Sequence, residues 1–179
     1  CWGVVGVTTP KGAGARGEPL SFTGIDAGNS SNCGRLTSSH NVQCWDDDDG
    51  TPPDGAVQMV DAGGQHQCAI RSSSHSQSPE EAVCWGTNID GKQLDGAPAT
   101  KLKDLSVGNN TACGITSSGN LRCWTVHFAF EPPDQIMGNF TAVSVGANSV
   151  CTLDPDGRAK CWGSVCGGDP NKNNPCWAP

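Results

Sequence analysis

The stretch AVCWGTNIDGKQLDG (residues 82–96) places a tryptophan directly after a cysteine. The same pair recurs along the chain, so that each of the six tryptophans among the 179 residues follows a cysteine. Successive pairs from Trp2 to Trp162 lie 38 to 43 residues apart. A period of this length is typical of architectures in which small units of one kind pack side by side.

The repeat contains two further landmarks upstream of each Cys-Trp pair. The first is a short alternating apolar run: FTGI (22–25), VQMV (57–60), LKDL (102–105) and FTAV (140–143). The second is a glycine five residues before a cysteine: Gly28 and Cys33, Gly63 and Cys68, Gly108 and Cys113, Gly146 and Cys151. Turn sequences such as SSGN (117–120) and PDG (155–157) then lead into the run that ends in Cys-Trp. Polar turns between apolar runs predict β-hairpins, and hence an all-β fold.

The cysteines bracket these hairpins, and a hairpin brings its two ends within bridging distance. We therefore predict one disulfide in each repeat, joining Cys33 to Cys44, Cys68 to Cys84, Cys113 to Cys123 and Cys151 to Cys161. Cys166 and Cys176 have a similar spacing and are predicted to form a fifth bridge, which leaves Cys1 without a partner. Closing a loop of about ten residues stabilises a fold by roughly 2–3 kcal/mol on the chain-entropy estimate.

The tryptophan beside each bridging cysteine is predicted to lie on the opposite face of its strand, because side chains alternate along a strand. One face of each unit then holds the bridge, while the other packs against the next unit. A large indole at the same place in each repeat would form a column of apolar contacts between sheets, each contributing about 2–3 kcal/mol.

Composition favours a secreted protein. Eleven cysteines are many for a reducing compartment, and neither C-x2-C pairs nor clustered histidines indicate a zinc site. The net charge of −7 argues against binding to nucleic acid or to anionic lipid, both of which attract basic surfaces.

The stretch CWGTNIDGKQLDG (84–96) and the preceding G-x4-C segments resemble the RCC1-like repeat. The resemblance covers most of residues 20–163 and is closest to disulfide-bearing secreted forms, namely the crinkly-type repeats of plant receptor ectodomains and the β-lactamase inhibitor protein II type. It implies a β-propeller of small antiparallel blades. The chain departs from the repeat after Trp45 and after Trp124, where the loops have other sequences.

We expect a single propeller domain, or a portion of one, over residues 1–179. Its repeat units span about residues 20–45, 56–85, 101–124 and 139–162, with residues 1–3 ending a preceding unit and a loop-rich segment at 164–179. Either about five blades close the ring or the chain is part of a longer protein, and we favour the longer protein.

No motif for catalysis or for phosphate binding occurs, and we expect no catalytic residue, cofactor or metal. His66 is interpreted as a partly exposed strand or loop residue. The run Asp46–Asp49 lacks the spacing of a calcium loop and reads as a solvated acidic loop. A hydrolase built on Glu80, Glu81 and Glu131 is a disfavoured alternative. The nuclear nucleotide-exchange role that the resemblance to the founder of the RCC1 family would imply is disfavoured as well, by the cysteines, the acidic charge and the sequons.

Three Asn-x-Ser/Thr sequons begin at Asn29, Asn109 and Asn139, and the first two directly follow the repeat glycine. N-glycosylation of these residues is predicted if the source is eukaryotic.

The predicted function is a non-catalytic secreted or cell-surface recognition or assembly domain, which binds protein partners through propeller rim loops. The partner is an extracellular protein or glycan, and self-assembly into an extracellular structure or attachment to further domains is also compatible. The alternative is a lectin-like propeller whose indoles stack on sugars.

Overall fold

The computed structural model describes residues 20–29, 31–45, 51–72, 80–86, 97–125, 135–163 and 176–177. All regular structure in these residues is β-strand, in agreement with the predicted all-β class. Within the same residues, no helix has the length and apolar character needed to cross a bilayer. The strands are β1 (Phe22–Ala27), β2 (Asn32–Leu36), β3 (Val42–Trp45), β4 (Val57–Ala62), β5 (His66–Arg71), β6 (Ala82–Gly86), β7 (Leu102–Val107), β8 (Thr111–Thr116), β9 (Leu121–Thr125), β10 (Gln135–Ile136), β11 (Ala142–Val145), β12 (Ser149–Leu153), β13 (Ala159–Gly163) and β14 (Cys176–Trp177).

The strands form four antiparallel sheets, one for each repeat. Two sheets have three strands, in the orders β1-β2-β3 and β4-β5-β6. The other two have four strands, in the orders β10-β9-β8-β7 and β11-β12-β13-β14. Neighbours in each sheet are consecutive along the chain, so every sheet is a meander that a stretch of about 40 residues forms locally.

The hairpin turns follow the turn chemistry of the sequence. Gly119 and Gly157 end the turns between the second and third strands of the third and fourth sheets, with φ of 88° and 79°. This left-handed conformation carries a steric cost for residues with a Cβ, and glycine adopts it freely. The predicted hairpins at 117–120 and 155–157 are therefore confirmed.

One disulfide links the second and third strands of each sheet, as the fold prediction required. The bridged pairs are Cys33–Cys44, Cys68–Cys84, Cys113–Cys123 and Cys151–Cys161. In every case the two cysteines are direct partners in the strand register, with Cα atoms 4.0 to 4.1 Å apart. Residues 1 and 166 lie outside the described residues, and the Cys166–Cys176 bridge stays a prediction.

The sheets pack face to face in chain order, and a tryptophan fills each junction. Trp85 of the second sheet packs against Cys33 and Val42 of the first. Trp124 of the third sheet packs against Cys68 and Ile70 of the second. The four tryptophans at the ends of the third strands are 2% to 8% exposed.

The fourth sheet repeats this arrangement, with Trp162 packed against Cys113, Ile115 and Leu121 of the third sheet. The expected column of apolar contacts is thus a series of separate clusters. Each cluster contains one indole and a bridging cysteine of the preceding sheet.

The two outermost faces of the four sheets are more exposed than their internal counterparts. Ile25 of β1 is 66% exposed, whereas Leu105 at the same position of the third repeat is 2% exposed. Leu153 of β12 is 40% exposed, whereas Ile115 at the same position of the third repeat is fully buried. Burial of these positions therefore depends on an adjacent sheet.

Candidate functional site along the inner strands

The first strands of the four sheets lie next to one another, and we call them the inner strands (β1, β4, β7 and β11). The repeat glycine directly follows each inner strand. Hydrogen bonds between main chains connect consecutive sheets there, from Asn29 N to the Gly63 carbonyl at 3.0 Å and from Gly64 N to the Gly108 carbonyl at 3.2 Å. The ends of the inner strands are therefore one place where the backbones of consecutive repeats meet.

Contact with the next repeat explains why this position is glycine. A Cβ added to Gly28 would lie closer to the Gly63 carbonyl oxygen than real Cβ contacts allow. The same holds for Gly63 against the Gly108 carbonyl and for Gly108 against the Gly146 carbonyl. Only a residue without a side chain permits two backbones to approach in this way. The glycine that marks the repeat in the sequence is thus a contact between sheets.

A row of polar side chains runs parallel to the glycines, two residues before each of them. Asp26 Oδ2 accepts a hydrogen bond from Ala62 N at 2.7 Å, and Asp61 Oδ2 accepts one from Val107 N at 3.2 Å. Ser106 Oγ, at the equivalent position of the third repeat, accepts one from Val145 N at 3.1 Å. Each inner strand therefore receives a hydrogen bond from the next at the same place in the repeat.

The members of this row also interact with one another. Burial of the Asp61 carboxyl group, the hydrogen bond that its protonated form donates to Asp26 and the repulsion between the two carboxylates raise the pKa of Asp61 to about 8, while hydrogen bonds from Val107 N and the Ser106 hydroxyl oppose that rise. At neutral pH, Asp61 therefore holds a proton. We call Asp26, Asp61 and Ser106 the inter-sheet row.

A second carboxylate supports the junction between the third and fourth sheets. Asp104 Oδ2 accepts a hydrogen bond from Val143 N at 2.7 Å. Partial burial raises the pKa of Asp104, while the hydrogen bonds from backbone amides oppose that rise. Asp61 and Asp104 thus both accept hydrogen bonds from backbone amides of the next sheet.

No role was predicted for Asp26 or Asp61 from the sequence, although the segments IDAG (25–28) and VDAG (60–63) are similar. The signal was present in the alignment of the repeats. The residue two positions before the repeat glycine is Asp, Asp, Ser and Ser in the four units, always a short side chain that accepts hydrogen bonds. A short polar side chain at a fixed place in every unit indicates a contact that every unit makes.

A cavity of about 240 Å³ opens at the end of the inner strands. Its lining includes the four repeat glycines together with Asn29 and Asn109, and none of the lining residues in the described part of the chain has an ionisable side chain. We call it the glycine cavity. Because backbone groups and small residues form its walls, it offers no group suited to acid–base or nucleophilic chemistry.

The predicted exposure of His66 is wrong. The sequence suggested a partly exposed strand or loop residue, but His66 begins β5 and its side chain is fully buried. Neither ring nitrogen has a hydrogen-bond partner in the described part of the chain, and burial lowers the pKa of His66 to about 4. The equivalent residues Ser31 and Thr111 are buried as well, so this position faces the interior in each of these three repeats.

The other candidate site residues from the sequence do not form a common site in the part of the chain that the structure describes. Glu80 forms an ion pair with Lys101 at 3.6 Å, Glu81 is half-buried, and Glu131 and the run 46–49 lie outside the described residues. No group of three His, Cys, Asp or Glu side chains suited to hold a metal occurs in the part of the chain that the structure describes. Asn29, Asn109 and Asn139 are all exposed.

No protein-family model matches this sequence. Among solved structures, the CRINKLY WD40 ectodomain from the Arabidopsis thaliana receptor kinase ACR4 is similar, with a TM-score of 0.66 and 24% identity over 82% of this chain and 51% of that chain. The entire ectodomain from the Physcomitrella patens receptor kinase CR4 has a TM-score of 0.65 and 25% identity over 81% of this chain and 39% of that chain.

Prp20p from Saccharomyces cerevisiae, the yeast RCC1, also has this fold, with a TM-score of 0.65 at 13% identity over 88% of this chain and 50% of that chain. The predicted RCC1-like propeller fold, with crinkly-type ectodomains among the similar structures, is therefore confirmed. The chain spans about half the length, or less, of these proteins.

Proposed function

We propose that this chain is a non-catalytic secreted or cell-surface domain, which binds protein partners through loops at the propeller rim and serves recognition or extracellular assembly. One observation carries the proposal: every described sheet has its own disulfide, in a fold shared with receptor ectodomains. Disulfides persist in oxidising compartments and are rare in the cytosol. The similar proteins are receptor ectodomains and RCC1, and none of these supports a catalytic role.

The hairpin turns between the second and third strands are the surface that we assign to recognition. In the first, third and fourth sheets these turns lie at 37–39, 117–119 and 155–157. Ser38, Ser117 and Asp156 are exposed there, and the turns differ in sequence from repeat to repeat. Exposed loops of varied chemistry on a rigid scaffold are the usual location of binding residues.

Contacts between consecutive sheets occur at both ends of the sheets. At the glycine end, the repeat glycines and the inter-sheet row make these contacts. At the hairpin-turn end, Val57 N donates to the His40 carbonyl and Phe140 N donates to the Gly119 carbonyl. The exposed side chains of the turns differ between repeats, and this variation favours the hairpin-turn end for recognition.

The structure offers no support for the lectin alternative. Stacking on a sugar requires an accessible aromatic face. Trp45, Trp85, Trp124 and Trp162 are at most 8% exposed and are engaged between sheets. The indoles that suggested sugar binding are, in this part of the chain, packing residues.

The test is a cell-surface binding assay with the disulfide-intact chain fused to a secreted reporter. We expect saturable binding to cells of the source organism, which trypsin treatment of the cells abolishes and enzymatic removal of their glycans leaves in place. Loss of binding on deglycosylation would indicate a lectin, and absence of saturable binding would refute the proposal.

Matched substitutions locate the surface. Ser38→Arg and Asp156→Arg place bulky cations on exposed turns at the proposed end and are expected to weaken binding. Ala147→Arg alters an exposed residue at the glycine end and is expected to leave binding intact. The reverse pattern would place recognition at the glycine end and overturn the assignment.

A further inference from the structure

We propose that the chain carries N-linked glycans on Asn29 and Asn109, and that both glycans flank the mouth of the glycine cavity. The proposal shares with the proposed function only the passage through the secretory pathway, and it requires no particular partner. Its chemistry is the transfer of an oligosaccharide from a lipid diphosphate donor to the side-chain amide nitrogen of an asparagine in an Asn-x-Ser/Thr sequence. The bond between the sugar C1 and the amide nitrogen forms as the bond between C1 and the diphosphate breaks, so that the lipid diphosphate leaves and the amide nitrogen gives up one proton.

Asn29 and Asn109 occupy the same place in the first and third repeats. Each directly follows the repeat glycine, in the turn between the first and second strands. The other two repeats have Gly64 and Ala147 there. Both asparagines are exposed and line the glycine cavity. Neither side-chain amide is hydrogen-bonded to another described residue. A glycan on either nitrogen therefore displaces no contact of the fold.

The third residue of the Asn109 sequon provides independent support. Thr111 is fully buried, and its hydroxyl has no hydrogen-bond partner in the described structure. Burying an unpaired hydroxyl is unfavourable, and an apolar side chain of similar shape would suit this position better for folding alone. Glycan transfer acts on the unfolded chain, where this hydroxyl is accessible. The sequon gives the hydroxyl a role that the folded structure does not.

Ser31 completes the sequon of Asn29 and is also buried, 3% exposed. Its hydroxyl accepts a hydrogen bond from the Gln67 side chain of the next repeat. This residue therefore has a structural partner as well, and Thr111 is the more diagnostic of the two.

The third sequon lies at the other end of the sheets. Asn139 precedes Phe140, whose amide donates to the Gly119 carbonyl in the turn between β8 and β9. This turn and the turn after Gly108 lie at opposite ends of β8, because the strands are antiparallel. The proposal concerns the glycine end, and occupancy at Asn139 alone would contradict it.

The experiment maps occupied sites on the full chain secreted from a eukaryotic host. Peptide-N-glycosidase treatment in heavy-oxygen water converts each occupied asparagine to a labelled aspartate, which peptide mass spectrometry locates. We expect label at Asn29 and Asn109. A correctly secreted chain with neither residue labelled would overturn the proposal, whether or not the reporter binds cells.

Two substitutions of Thr111 make a matched pair. Thr111→Ser keeps the sequon and is expected to keep the label at Asn109. Thr111→Val keeps the shape and removes the hydroxyl, so label at Asn109 is expected to vanish while label at Asn29 remains. Persistent label in the valine variant would contradict the mechanism. Should that variant fail to be secreted, Asn109→Gln alters only an exposed side chain and must lower the glycan mass by one chain.

Discussion

The proton that Asp61 holds at neutral pH leads to a specific prediction for the variant Asp61→Asn. An asparagine has the shape of the protonated acid: its NH₂ group donates to Asp26 while its carbonyl accepts from Val107 N. The variant is therefore expected to keep the hydrogen bonds of the inter-sheet row. It no longer ionises, so it removes the dependence of stability on pH that Asp61 contributes.

The sign follows from the raised pKa. Because the pKa of Asp61 is about 8 in the folded chain and 3.8 in the unfolded chain, the folded state binds the extra proton between these values. Stability contributed by this group therefore falls as pH rises through that range. His66 has the opposite effect, since its lowered pKa makes stability fall as pH drops from 6.5 to about 4. The clearest window for Asp61 is therefore from pH 6.5 to pH 8.

The magnitude follows from a slope of about 1.4 kcal/mol per pH unit for one proton. Across the window this gives an upper limit of about 2 kcal/mol, because the group is half-titrated near pH 8. Partial exposure of the carboxyl group and its coupling to Asp26 reduce the expected loss to about 1 kcal/mol. For a chain of this size, that loss lowers the melting temperature by roughly 2–4 °C.

The assay is thermal unfolding by circular dichroism at constant ionic strength, with the disulfides intact. The wild type is expected to lose stability between pH 6.5 and pH 8 relative to Asp61→Asn. Exposed Asp156 provides the control, because Asp156→Asn makes the same chemical change and should follow the wild-type curve. Parallel curves for wild type and Asp61→Asn would show that the pKa of Asp61 is not raised in the folded chain.

Three further predictions concern the junctions between sheets, and urea unfolding measures each of them. Gly63→Ala is expected to destabilise the chain by about 1–3 kcal/mol, because the added Cβ overpacks against the backbone of the next sheet. The control is Gly24→Ala, where an added Cβ meets nothing within 4 Å, and this variant should be neutral or slightly more stable. Trp124→Ala should cost about 3–5 kcal/mol in the same assay, and a cost below about 1 kcal/mol would contradict its role as the filler of a junction. Replacing both Cys113 and Cys123 by Ser should lower stability by roughly 2–3 kcal/mol, while mass spectrometry should find the other three described bridges intact; their rearrangement would mean that the bridges are not independent.

The units of this fold were predictable because their signals are local. A Cys-Trp pair, a glycine five residues before a cysteine and a polar turn all lie within one stretch of about 40 residues. A hairpin forms within such a stretch, so the spacing of Cys113 and Cys123 sufficed to predict their bridge.

The contacts between units were harder to predict, because each joins residues 36 to 46 positions apart. The role of Asp61 depends on the distance between two strands that sequence spacing alone does not give. The burial of His66 was missed for a related reason: a polar residue at the start of a strand suggests exposure, but the tertiary packing buries this side chain completely. An alignment of the four repeats would have identified the inter-sheet row, because its members all lie two positions before the repeat glycine.

The disulfide inside every sheet has a consequence for how the structure opens. Among the residues that the structure describes, the main strand contacts between sheets join consecutive sheets, so a sheet opens by losing its junctions with its neighbours. The bridge keeps the second and third strands of that sheet in register while it is detached. Reattachment then requires no new search for strand pairing, and such local opening should reverse quickly rather than proceed to aggregation.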